Sequence, residues 1–244
     1  GVSGANTALI GGAVYAQGGA TATLYQAQLF DNWSANGSAV HASGGSTLIE
    51  LDNTLVAYNI LYGAGNGTST IEATTSANLT LRHVTMAQNF RVSAQFPFLE
   101  RAVSSIRANG NSSQVIVRNS ILWNDGDLLL RLLAGAGVTG RCTLGHEAST
   151  VFFAVDADPR YVSTTAANPD FRLQEDSAAI DRCAVLDDAG SRDLFGTTRP
   201  VDQPGVPNGT GAYDAGAVEM PLFNDVIFAD GFQLLNAPVD AGDE

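Results

Sequence analysis

The stretch "GGAVYAQGGATATLYQAQLFDN" at residues 11 to 32 is followed by "GSAVHASGGSTLIELDNTLVAYN" at residues 37 to 59, with Gly-Gly, short apolar pairs and a closing Asn held in place. Aligned on that Asn, four copies emerge: "LYQAQLFDN" (24–32), "LDNTLVAYN" (51–59), "LRHVTMAQN" (81–89) and "IVRNSILWN" (116–124). They set three columns: Leu24, Leu51, Leu81 and Ile116; Leu29, Val56, Met86 and Ile121; Asn32, Asn59, Asn89 and Asn124. An upstream strand also recurs, as "AVYA" (13–16), "AVHA" (39–42), "TIEA" (70–73) and "SIRA" (105–108), with Val14, Val40, Ile71 and Ile106 in one column. Side chains alternate between faces along a strand, so the residues between the column members point the other way.

The closing Asn recurs after 27, 30 and 35 residues, which confines insertions to turns. A unit of about 30 residues that repeats strand for strand predicts an all-β chain, a right-handed parallel β-helix with an irregular C-terminal cap. Coils stacked about 4.8 Å apart bury the aliphatic columns and pair the backbone above and below. The Asn column fits an inward bend where stacked amides hydrogen-bond along the ladder, since a satisfied buried amide carries little penalty. A β-sandwich is the competing architecture, and it predicts hairpin signals instead of columns. Two turns have grown, residues 60–70 and 90–104; the second carries Phe90, Phe96 and Phe98, either as a binding rim or as cover for the flank.

Twenty-five acidic residues against twelve basic ones give a net charge of −13, which argues against sequence-independent nucleic-acid binding. All twelve basic residues are Arg, so Schiff-base chemistry, a lysine base and a P-loop lysine are excluded. No run of about 18 apolar residues predicts a transmembrane helix. The two cysteines, Cys142 and Cys183, lack CxxC spacing and predict a disulfide if the compartment is oxidising, or otherwise two buried thiols. A chain that starts at Gly1 with no leader fits a processed or trimmed export product.

After Asn124 the register fades, and "DLLLRLLAGAGVTG" (127–140) reads as one more strand or a short capping helix. The boundaries are then 1–152 for the coils, 153–220 for the cap or last coils, and 221–244 for a tail. A solenoid end exposes apolar cross-section and unpaired strand edges, so an atypical terminal unit is expected.

The chain resembles the right-handed parallel β-helix proteins of bacterial cell surfaces that end in a choice-of-anchor Q region. The matching segments are Asp158-Pro159, "LQEDSAAID" (173–181), "RDLFGTTRP" (192–200) and "YDAGAVE" (213–219), and "GGAVYA" is similar to the repeats of polymorphic outer-membrane proteins. The tail "NDVIFADGFQ" (224–233) is similar to a short ending of exported gammaproteobacterial proteins, with Gln233 in place of an acid. The resemblance implies a secreted or cell-surface scaffold, while activities differ among members.

Outward positions beside the second strand place Tyr15, His41, Glu72 and Arg107 in one line, with an aromatic face, a switchable donor, an acceptor and a planar cation suited to a sugar chain. A second line holds Tyr25, Asp52 and Arg82, and a third Asp31, Tyr58, Gln88 and Trp123. These positions read equally as solvated residues on an exposed sheet. Catalysis finds less support: Asp187-Asp188 fall in the cap region, "GHE" at 145–147 lacks a second Gly, and His41 with Arg107 or His83 beside Arg82 has no acidic metal cluster nearby. Acidic turns at 156–158 and 187–188 leave Ca²⁺ possible, but His41, His83 and His146 are too scattered for zinc, so no metal or other cofactor is assigned. Six N-x-S/T sequons, at Asn32, Asn36, Asn66, Asn78, Asn111 and Asn208, arise readily in Asn-Ser-Thr-rich turns. The expected function is noncatalytic adhesion or binding of a polysaccharide or cell-surface glycan. The alternatives are a polysaccharide lyase or glycoside hydrolase working on the outer face, and a structural subunit that self-associates end to end.

Overall fold

Short β-branched and aliphatic strands separated by Gly, Asn and Ser turns leave each coil with one apolar side, and stacking coils is how that side is buried. The computed structural model describes residues 6–62, 69–92, 99–101, 104–124, 128–145, 154–186 and 190–222. These form a parallel β-solenoid of about four turns, with no helix among the described residues. Numbered in chain order, the first sheet stacks β1 (Thr7–Ile10), β5 (Trp33–Asn36), β8 (Ile60–Tyr62) and β11 (Phe90–Val92), with β12 (Leu99–Arg101) antiparallel at its end. The second stacks β2 (Val14–Gln17), β6 (Val40–Ser43), β9 (Ile71–Thr74), β13 (Ser104–Asn109) and β15 (Leu128–Leu133). The third stacks β3 (Thr21–Tyr25) and β4 (Gln28–Phe30) on β7 (Leu48–Ala57), then β10 (Asn78–Ala87), β14 (Gln114–Trp123), β16 (Gly137–Gly145) and β17 (Ala154–Val155). A separate antiparallel pair, β18 (Tyr161–Ser163) with β19 (Asp170–Leu173), belongs to the C-terminal segment.

The interior is a set of like-on-like columns. Val14, Val40, Ile71, Ile106 and Leu130 are in register, as are Ala22, Ile49, Leu79, Val115 and Val138. Residues 128–145 continue the stack as strands β15 and β16, so the reading of a capping helix there is replaced by another coil.

The Asn column forms the expected ladder. Nδ2 of Asn6, Asn32, Asn59 and Asn89 each donates to Oδ1 of the next Asn at 2.8–3.0 Å, and Asn124 Nδ2 donates to Ser105 Oγ. The same carbonyl oxygens of Asn59, Asn89 and Asn124 also accept the backbone N–H of Asn32, Asn59 and Asn89. Asn32 is therefore committed to the interior, and its sequon carries no accessible amide.

The fourth repeat corrects the sequence alignment by one residue. Leu81 pairs with Val117 and Met86 with Leu122, while Ile116 and Ile121 sit opposite Thr80 and Thr85. Asp31, Tyr58 and Gln88 take left-handed backbone (φ 53, 57 and 52°) just before the ladder Asn. The fourth coil has no such residue between Trp123 and Asn124, because Trp123 pairs with Ala87. A one-residue deletion at this corner flips the facing of every residue aligned from the Asn backwards.

Each long strand of the third sheet also bends partway, at Gln26, Asn53, His83, Asn119 and Cys142, all with φ of 46–54°. Beyond this bend the strands are buried on both sides. Val56, Met86 and Leu122 face the interior, whereas Leu55, Ala57, Ala87, Ile121 and Leu144 face Phe171, Leu173, Ile180, Ala215 and Ala217 of the C-terminal segment. The segment expected as a terminal cap makes its described contacts along this flank, reaching successive coils through Gln26, Tyr58, Thr85, Asn119 and Cys142. Gly216 (φ 92°) marks a close approach: a Cβ there would meet Thr85 Oγ1 at 2.6 Å and Ile121 Cδ1 at 2.8 Å.

Candidate functional site

Strands β2, β6, β9 and β13 bring Tyr15, His41, Glu72 and Arg107 into one register line, and Arg131 on β15 extends it. Alternation makes that line, because Val14 and Ala16 on either side of Tyr15 face inward. Its centre is closed to solvent. Glu72 and His41 are buried, and only Tyr15 at the end is well exposed, at 44%. Glu72 is ion-paired with Arg107, and His41 Nδ1 lies 3.3 Å from its other oxygen without hydrogen-bond alignment. The Tyr15 ring tilts onto His41 with centroids 5.5 Å apart, and its hydroxyl donates to Gln17. The line is thus a mostly buried charge ladder, held by ion pairing and with several polar atoms left without a hydrogen-bond partner among the described residues, and only its aromatic end is open to solvent.

Arg82 lies in register with Tyr25 and Asp52, and its Nη2 is 3.1 Å from Glu50 Oε1. Tyr58 is buried. Its hydroxyl donates to Thr164 O, and its ring contacts Phe30, Phe90 and Phe171. Burial, then Asp31, push its hydroxyl pKa up, so it stays a neutral donor. Trp123 leaves the line assigned to it, for the register reason above, and joins the flank.

There the indole meets the C-terminal segment at a polar cleft of about 250 Å³ lined by Gln88, Trp123, Asp158, Arg160, Tyr161, Thr164 and Gln174. Asp158 Oδ1 accepts the Arg160 N–H at 2.8 Å, closing the Asp-Pro turn, and Arg160 reaches out to Asp176. Gln174 Nε2 donates to Tyr161 O, which fixes β18 against β19. The Tyr161 hydroxyl is buried without a hydrogen-bond partner among the described residues, and desolvation, then Asp158, raise its pKa well above the ordinary value. The cleft therefore offers an aromatic surface, amide groups, one carboxylate, one guanidinium and the Thr164 side chain, while the Tyr161 hydroxyl lies buried and keeps its proton.

Compared with family models, curated proteins and solved structures, the chain matches none of the three.

The segments 173–181, 192–200 and 213–219 meet in one buried charge centre. Arg199 Nη1 bonds Glu219 Oε2 at 2.8 Å, His83 Nδ1 at 2.9 Å and Asp214 O at 3.2 Å, while Nη2 bonds Gly216 O at 2.8 Å. Asp193 accepts N–H groups from Phe195, Thr197 and Glu219; Asp214 accepts from Asp181 and Met220; Glu219 Oε1 accepts from Val201. Each acid closes a turn, which gives the "DLFGTTRP" and "DAGAVE" letters a packing role. Desolvation, then Arg199, lower the His83 pKa well below its ordinary value, leaving a neutral ring that accepts from Arg199 at Nδ1. Desolvation raises Asp214 strongly and Glu219 less, with Glu219 the second cause for Asp214 and Arg199 opposing in both cases.

Cys142 and Cys183 form the expected disulfide, with Cα atoms 5.6 Å apart. Among the described residues no three His, Cys, Asp or Glu side chains converge as a metal site. His146, Asp187, Asp188, Phe96, Phe98, Asn66 and the tail from 223 lie outside the described residues.

Sequence reasoning missed Arg160, Tyr161, Thr164 and Gln174, which come from irregular chain after the repeats end. One signal did exist for the flank. Consecutive apolar triplets, Leu55-Val56-Ala57 and Ile121-Leu122-Trp123, mark strands buried on both faces.

Proposed function

We propose that this chain is a noncatalytic glycan-binding β-solenoid that works outside the cell in adhesion, and that its sugar site is the cleft beside Trp123. The observation that carries the reading is the combination in that cleft of an indole with donors and acceptors of both kinds, from Gln88, Gln174, Thr164, Asp158 and Arg160. Sugar rings have a weakly apolar face that stacks on an aromatic plane and a rim of hydroxyls that need both donors and acceptors. At about 250 Å³ the cleft lies below the size typical of drug-sized ligands and takes one or two sugar rings. Asp158 is the one carboxylate in the lining, whereas glycoside hydrolysis commonly needs two facing each other. The disulfide and the resemblance to exported β-helix proteins support the oxidising, extracellular setting.

The test uses the fact that the chain has two tryptophans. In a Trp33→Phe variant Trp123 is the sole emitter, and neutral cello-, malto- and chito-oligosaccharides are titrated while its emission is followed. One class is expected to shift the emission saturably, and Trp123→Ala with native circular dichroism is expected to weaken that binding about tenfold or more by calorimetry. Emission that stays flat across the panel, or release of reducing or unsaturated ends during incubation, would overturn the reading.

A further inference from the structure

Each cysteine follows an arginine, in "GRCTL" and "DRCAV". The disulfide therefore brings two Arg-Cys dipeptides from distant parts of the chain together, and Arg141 and Arg182 line one cavity of about 430 Å³ with Cys142, Gly209 and Thr210. A second cavity of about 250 Å³ is lined by Arg118, Thr139, Gly140 and again Arg141. We propose that this arginine groove binds an acidic saccharide, one that carries carboxylate or sulfate groups.

The register shows how the charge accumulates. Arg82, Arg118 and Arg141 stand directly opposite one another on β10, β14 and β16, continuing the column of Tyr25 and Asp52. Like charges facing each other on neighbouring strands are destabilising. At Arg82 the cost is met within the protein, by Glu50 two positions earlier on the preceding strand. The column that supplies Glu50 continues as Thr80, Ile116 and Thr139, so the position that serves Arg82 is an isoleucine where Arg141 would need it. Among the described residues neither Arg141 nor Arg182 makes an ion pair, in a chain with 25 acidic residues and 12 arginines.

The groove is also held in place. Arg182 is fixed by backbone bonds from its N–H to Tyr213 O and to its own carbonyl from Thr210, and the adjacent Cys183 bonds Tyr213 in both directions. Arg141 lies in the ladder of β14 and β16, one residue before the left-handed bend at Cys142. Two planar guanidinium groups on fixed backbones match carboxylate or sulfate oxygens bidentately, and what is ordered on binding is their side chains. The net charge of −13 opposes a densely charged polymer, so the fitting ligand is a short saccharide with one acid per ring at most. Gly140, Thr139, Gly209 and Thr210 give a low floor on which a ring can lie, and supply none of the side-chain pockets by which extended peptides are read.

The test is calorimetry on the oxidised full chain with tetragalacturonate, a κ-carrageenan tetrasaccharide that carries sulfate on alternate rings, cellotetraose and tetraglutamate, together with Trp123 emission in the Trp33→Phe background. At least one acidic saccharide is expected to bind, with affinity falling as salt rises from about 50 mM to about 500 mM. Arg141→Gln and Arg182→Gln should each weaken it about tenfold or more, and Arg141→Lys should recover part of the loss. The carboxylated and sulfated ligands distinguish the two sources of negative charge. Equal binding of tetraglutamate overturns the saccharide assignment, and equal binding of cellotetraose overturns the need for charge. An acidic saccharide whose affinity neither substitution changes, but which shifts Trp123 emission, overturns the groove while leaving the Trp123 cleft standing.

Discussion

The inner corner of the solenoid and the flank beneath the C-terminal segment both bury polar side chains, and they satisfy them by different means. At the corner, five Asn from successive turns are joined by four copies of the same amide-to-amide bond, so each amide is one term in a series. On the flank, Arg199 stands at the centre of contacts to Glu219, His83, Asp214 and Gly216 that nothing else among the described residues repeats. A repeated contact is redundant and tolerates loss in proportion. A unique ionic hub ties together segments distant in sequence, and removing its cation strands several buried acids at once. The two regions should accordingly fail differently.

The largest effect is expected from Arg199→Met, which keeps an apolar stem and deletes the charge. Glu219 then remains buried with no cationic partner, and the loss should be about 3–5 kcal/mol in urea unfolding. Hydrogen exchange should show lost protection across 158–220 before the interior columns of 24–124. If exchange rises uniformly instead, the flank and coils are one cooperative unit, and the contrast drawn above collapses.

A middle rung tests the other region. Asn59→Ala removes the oxygen that accepts both the backbone N–H and Nδ2 of Asn32, in a site with no water access. Leaving those donors buried should cost about 1–3 kcal/mol, with lost protection confined to the neighbouring coils. A loss as large as that of Arg199→Met would mean that the ladder acts as a single cooperative object and not as separable rungs.

The same contrast explains what is legible in the sequence. Columns announce themselves because each letter is written several times, so Val14 with Val40, Leu24 with Leu51, and the Asn series can be read from the letters alone. The fourth repeat misleads because Ile121 and Leu122 are both apolar and both buried, one on each side of the sheet, and a missing corner residue chooses between them. The line of Tyr15, His41, Glu72 and Arg107 is in register as expected, yet its burial is not legible, since alternation gives a side chain's direction and says nothing of what covers it. The Trp123 cleft and the Arg141–Arg182 pairing are hidden for a related reason. Each joins a repeat residue to the irregular chain after residue 156, and contacts made once leave no period to detect.

The smallest effect concerns His83, the one member of the hub that comes from the solenoid itself. Its folded pKa lies well below the ordinary value, with burial the first cause and Arg199 the second. A base whose pKa is depressed on folding contributes stability that is fully present above its unfolded pKa, near 6.5, and is lost as pH falls below it, because the unfolded chain then takes up the proton first. The raised carboxyls Asp214 and Glu219 act in the opposite sense, gaining stability as pH falls, so the wild-type profile alone does not isolate the ring. His83→Gln removes the titration and keeps an acceptor oxygen for Arg199. Between about pH 7.5 and about pH 5.5 the stability advantage of wild type over His83→Gln should shrink by about 1 kcal/mol, measured by urea unfolding at fixed ionic strength. An advantage that stays constant over that range would mean that the ring accepts a proton within the hub, and that the hub reorganises around charge as readily as the Asn corner tolerates a lost rung.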